Sequence, residues 1–133
     1  MRGIAAALLA GLLVVGCGGE SGDLMAIEAS GGKARGGPLD IVITSDGRAT
    51  CNDGPEKTIP SGLLIDAREL ERDLGDLAEE GATFGSASGD RRDYVVRIKK
   101  GTVRWPEGDP GLPAQLAETQ LLTVRLDRLL CRS

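Results

Sequence analysis

Tyr94-Val95-Val96-Arg97-Ile98-Lys99-Lys100-Gly101-Thr102-Val103-Arg104-Trp105 is the stretch whose reading decides the fold. Apolar residues recur at every second position on either side of Lys100-Gly101, the period of a strand with one buried face. A two-residue turn at Lys100-Gly101 sets Lys99 against Thr102, Ile98 against Val103, Arg97 against Arg104 and Val96 against Trp105. That register gathers Tyr94, Val96, Ile98, Val103 and Trp105 on one face, so pattern and turn agree. The other face is then basic, with Arg97 opposite Arg104, Lys99 beside them and Lys100 at the turn. This strip is a candidate surface for an acidic partner or anionic headgroups, weighed against plain neutralisation by Asp90, Asp93, Glu107 and solvent.

Upstream, residues 39–44 are β-branched and roughly alternating, and Asp46-Gly47 is a strong hairpin turn into Arg48-Ala49-Thr50-Cys51. A two-residue turn there pairs Val42 with Cys51 and points the cysteine away from the Ile41/Ile43 face; a bulge near Ala49 or a longer turn would bring it inward. Asn52-Asp53-Gly54-Pro55 breaks the ladder, and Pro60-Ser61-Gly62 closes an irregular link. Residues 66–80 form the clearest helix, with Asp66 and Glu69 spaced as a capping box and Gly81 just past the end. Ala67, Leu70, Leu74, Leu77 and Ala78 share one arc, and the carboxylates opposite them are expected to be a solvated face.

Residues 114–130 predict a second helix, with Leu116, Leu122, Leu126, Leu129 and Leu130 within an arc of roughly 140° and Ala117, Leu121 and Val124 in a weaker second stripe. The expected fold is α+β, in the order β-β-α-β-β-α: an antiparallel four-stranded sheet with two helices packed on one face. With aromatics at 2% of the chain, the core must be mostly aliphatic. This single small domain is expected to occupy residues 39–133.

What precedes it bears on location. Met1-Arg2 and the uncharged run 4–15 have the make-up and length of a secretory signal, too short to cross a membrane. Val14-Val15-Gly16-Cys17 resembles the lipobox of bacterial lipoproteins, which implies a signal peptide over residues 1–16. It also implies a diacylglycerol thioether on Cys17, with an amide-linked chain such as palmitate, and anchoring at the extracytoplasmic face of the cell membrane. Residues 18–38 contain seven glycines and only the lone Leu24-Met25-Ala26-Ile27 apolar patch, so 17–38 is expected to be the lipidated cysteine and a flexible tether. Loss of Arg2 with the signal leaves 15 cations against 20 acids, a net charge of about −5, which argues against nucleic acid as a partner.

Chemistry is sparse. The chain has no His, which removes Ser-His-Asp and Cys-His catalysis and the commonest metal ligand, so neither an enzyme nor a metal or cofactor is expected. Gly85-Ser86-Ala87-Ser88-Gly89 puts Ala87 where a nucleophile elbow needs Ser, and no Gly-Lys-Ser/Thr phosphate loop occurs. With Cys17 lipidated, Cys51 and Cys131 remain, and in an exported domain they are most simply a disulfide, set against two free thiols or a redox pair.

The succession of a strand pair, the helix 66–80, Phe84 in the following loop, the hairpin 93–105 and the helix 112–130 resembles emfourin-type small domains, as does Gly36-Gly37 before the first strand. The resemblance covers residues 39–130 in pattern, carries no site residue across, and implies inhibition of a thermolysin-like metalloprotease. The sequence thus leads to an exported, lipid-anchored, non-enzymatic binding domain. The sequence does not name its partner, a protease or an envelope component being the protein candidates; extracytoplasmic metalloprotease inhibitor and structural cell-envelope protein are the second and third readings.

Overall fold

The computed structural model describes residues 23–32, 37–85 and 89–132. The signal peptide, the lipobox with Cys17, Gly36 and the 86–88 part of the glycine-serine loop lie outside the described residues. Within them the fold is α+β: a six-stranded antiparallel sheet and three helices followed by a π-helical turn. The chain runs β1 (Asp23–Gly31), β2 (Leu39–Thr44), β3 (Arg48–Cys51), β4 (Lys57–Thr58), α1 (Ser61–Asp73), α2 (Gly75–Glu79), β5 (Arg92–Ile98), β6 (Gly101–Pro106) and α3 (Ala114–Leu126), with the π turn at Asp127–Cys131. In space the strand order is β4-β3-β2-β1-β5-β6.

Two strands correct the four-stranded expectation. Residues 23–31, assigned to the tether, are strand β1, and β1 lies in the middle of the sheet with β2 on one side and β5 on the other. Met25, Ile27 and Ala29 point into the core while Ala26 and Glu28 face the other way, so the alternation is present but short and flanked by glycine. The other addition, β4, is two residues long and has no pattern to detect.

The β5–β6 hairpin keeps the expected faces and changes its register. Tyr94 pairs with Trp105, Val96 with Val103, Arg97 with Thr102 and Ile98 with Gly101, so the turn is Lys99-Lys100. A slip of two positions preserves which side each residue faces, and Tyr94, Val96, Ile98, Val103 and Trp105 are all buried. The cause lies at Gly101, where φ is 148° and an added Cβ would stand 2.1 Å from the Ala78 carbonyl oxygen. Glycine is needed at the first position of β6 because α2 passes directly over it, and the lysines before it make the turn. Tyr94 and Trp105 stack with centroids 5.5 Å apart, and Trp105 Nε1 donates to Gln120 Oε1 at 3.1 Å.

The β2–β3 turn is longer than two residues. Ile41 pairs with Cys51, Val42 with Thr50 and Ile43 with Ala49, leaving Ser45-Asp46-Gly47 as the loop with Gly47 at φ 90°. The Thr44 hydroxyl bonds the backbone of Arg48 across this loop, and Cys51 turns to the core side with Ile41. Cys51 and Cys131 are joined, with Cα atoms 5.6 Å apart. The bridge ties the π turn to β3.

The helices also start and end differently. Pro60, at φ −55° and ψ 142°, precedes α1, which begins at Ser61, more than a turn before Asp66. Asp66 caps nothing and faces Arg125 of α3. After Leu74 the helix restarts as α2 and stops at Gly81, whose positive φ is the expected stop signal. In α3 the inward stripe holds Leu116, Leu122 and Leu126 together with Thr119 and Thr123, whose hydroxyls donate to the carbonyls of Gln115 and Thr119. Leu129, expected inside, is 44% exposed, because the wider π turn rotates it off the arc while Leu130 stays buried.

Candidate functional site

One of the grooves among the described residues brings apolar surface and charge together from two helices. It runs between α1 and α3, has a volume of about 260 Å³, and is lined by Asp66, Glu69, Leu70, Asp73, Glu118, Leu121, Leu122 and Arg125. Two polar contacts fix the helices against each other. Arg125 Nη1 lies 3.5 Å from Asp66 Oδ2 at one end, and Gln115 Nε2 donates to the Asp73 carbonyl at 3.5 Å at the other.

Leu70 and Leu122 form a buried floor because both belong to the core-facing stripes of their helices. Leu121, one position on from the inward arc of α3, stands on the rim at 52% exposure, with Val124 also exposed. Four carboxylates face one guanidinium across this leucine surface. Such an arrangement favours a basic, partly apolar segment over small-molecule chemistry.

Among the described residues no group of three or more His, Cys, Asp or Glu is placed to hold a metal ion. The buried hydroxyls of Thr119 and Thr123 are engaged by their own helix. A carboxyl held below its ordinary value lies elsewhere, at Asp46 in the β2–β3 loop, where hydrogen bonds from Arg48 and Thr44 favour its charged form.

The basic strip is rearranged by the hairpin register. Arg97 and Arg104 share the uncovered face of the sheet, but Arg97 stands opposite Thr102 and Arg104 opposite Val95. Arg97 forms an ion pair with Glu28 of β1, which the sequence had left in the tether. Arg104 lies on the outer strand, where its backbone exchanges hydrogen bonds with Ala82 and Phe84. Lys99 and Lys100 occupy the turn, away from Arg104. Arg97 lines a shallow hollow with Lys99, while Lys100 lies against the start of α2.

The α1–α3 groove was half legible. The stripe Ala117, Leu121 and Val124 is visible on a helical wheel, and the acids of α1 were expected to be merely solvated. That Glu118 and Arg125 would come to face them is a tertiary pairing that neither helix shows alone. Compared with known proteins, the chain matches no family model, no curated protein and no solved structure.

Proposed function

We propose that this protein is an exported lipoprotein, anchored through Cys17, whose folded domain is a non-enzymatic binding module that takes a basic, partly apolar protein segment in the α1–α3 groove. The observation that carries the binding role is the groove itself, where exposed Leu121 stands among four carboxylates over a leucine floor. Leaving leucine in water while carboxylates crowd around it serves stability poorly and recognition well. Anchoring rests on Val14-Val15-Gly16-Cys17. The Cys51–Cys131 bridge suits an oxidising compartment.

Metabolic labelling with a fatty acid tests the anchor: wild-type chain takes up label and stays with membranes, and Cys17→Ser does neither. Label on the Cys17→Ser chain would end the lipoprotein reading. Affinity capture from envelope extracts tests the groove, with wild type retaining a partner that Leu121→Asp and Glu118→Lys lose while remaining folded. Equal capture by both variants would end it. Titration against a thermolysin-like protease distinguishes an inhibitor from a binder of envelope components. The emfourin-type resemblance begins at residue 39 and so leaves out the central strand β1, and absence of inhibition at micromolar protein would remove the inhibitor.

A further inference from the structure

Strand β1 begins at Asp23, and only five residues separate it from Cys17. Six Cα steps of about 3.6 Å at full extension put the start of β1 within roughly 20 Å of the anchored cysteine, and about 13 Å at the span of a glycine-rich coil. The headgroup layer itself takes up about 5 to 7 Å of that distance. A tether of 21 residues would leave the domain free to tumble, whereas five residues bring one end of the sheet to the headgroups.

The surface at that end is built mainly from α1 and the Lys99-Lys100 turn. Leu24 of β1 lines a shallow hollow with Ile65, Arg68, Glu69, Glu71 and Arg72 of α1. Arg68 donates to the Ser45 carbonyl in the β2–β3 loop at 2.9 Å, so α1 crosses the sheet at this end. Ala26 pairs with Arg97, which carries the Lys99-Lys100 turn past the beginning of β1. A Cβ on Gly75 would lie 3.3 Å from Lys100 Nζ, which places that lysine against the α1–α2 junction.

Ile65 is 53% exposed here, the largest exposure of any large apolar side chain among the described residues. Arg68 and Arg72 are exposed beside it and Lys99 and Lys100 are exposed in the turn at the same end, among Asp23, Glu69, Glu71, Asp73 and Asp76. Neither lysine has an ion-pair partner among the described residues. The end nearest the anchor thus gathers four exposed cations on a chain that is acidic overall.

We infer that this end is a membrane-docking surface for anionic phospholipid, with Ile65 at the headgroup level and Arg68, Arg72, Lys99 and Lys100 on lipid phosphates; the inference rests on lipidation of Cys17. Docking turns the α1–α3 groove and the opposite end of the sheet into a fixed presentation instead of a tumbling one. A protein occupant of the same surface would not depend on lipid charge.

The test uses lipidated full-length chain in vesicles, with tryptophan fluorescence quenched by brominated lipid. Ile65→Trp reports the docking end, and Asp90→Trp reports the far end, where the Asp90 carbonyl lies beside Gly32. With phosphatidylglycerol in the vesicle, Ile65→Trp is quenched and Asp90→Trp is not. Adding K99E and K100E lowers the docked fraction about tenfold or more, and so does replacing the anionic lipid with phosphatidylcholine. Equal quenching at both ends, or quenching at Ile65→Trp that ignores lipid charge, overturns the docking surface while fatty-acid label on Cys17 still stands. Absence of that label overturns the anchor, and the docking inference with it.

Discussion

Gly101 shows how one residue can hold a register. A Cβ added to it would stand on the Ala78 carbonyl, so Gly101→Ala forces either the β5–β6 hairpin or α2 to move, at an expected cost of about 3 kcal/mol or more, read from the shift of the urea midpoint. Gly62 is the contrast: it lies in the first turn of α1 with nothing within 4 Å of an added Cβ. Gly62→Ala should raise stability by about 0.5 kcal/mol, because it only restricts the unfolded chain. If both substitutions shift the midpoint equally, the close approach of α2 to β6 is wrong. Asp46 offers a titration. Arg48 and Thr44 hold its carboxyl below the ordinary 3.8, so the linkage is that of a depressed acid. Its contribution is present above that value and is lost as pH falls below it. Carbon NMR of the Asp46 carboxyl should find a midpoint under 3.8, and a midpoint at or above it removes the Arg48 and Thr44 contacts from solution. Both partners are solvent-exposed, so a small effect on global stability is expected.

Among the elements, β1 separates what the sequence made legible from what it did not. The hairpin faces, the inward arc of Ala67, Leu70, Leu74 and Ala78 across α1 and α2, and the Gly81 stop follow from local pattern, and the structure has each of them. The central strand was lost because Met25, Ile27 and Ala29 lie between glycine-rich flanks, and a strand paired on both sides needs partners that are remote in sequence. Register was lost at both hairpins for a related reason: the turn is chosen by what packs over it, α2 over Gly101 and the bonds of Thr44 across residues 45–47. The groove needed α1 and α3 to be placed first. A fragment that starts at residue 39 loses Met25 and Ile27, both fully buried, and leaves β2 and β5 without their common neighbour. Burial of two such side chains is worth about 4 kcal/mol or more, against a total of roughly 5 to 15 kcal/mol for a small domain. The 39–133 fragment should therefore be unfolded by circular dichroism and amide dispersion, and the 23–133 fragment folded. A cooperative melt from the shorter fragment would show β1 to be dispensable.

At the scale of the whole molecule, the disulfide and the strand order act together. Cys51 and Cys131 are 80 positions apart, and closing so long a loop removes on the order of 4.5 kcal/mol of freedom from the unfolded chain. Cys51→Ser with Cys131→Ser should lower the melting temperature in that proportion, and the intact mass of the native chain should be two hydrogens below that of the reduced one. Two thiols open to alkylation under native conditions would retire the bridge. The position of β1 also dictates the order in which the molecule can be completed. The first strand to leave the ribosome has its second partner in β5, near the other end of the chain, and the bridge closes only when Cys131 has emerged. Until then the nascent polypeptide carries a half-paired strand and an unspent thiol, and it cannot lock into its final form. A sheet that stays open until synthesis is nearly finished keeps the chain threadable, which is the state the export proposed above would require.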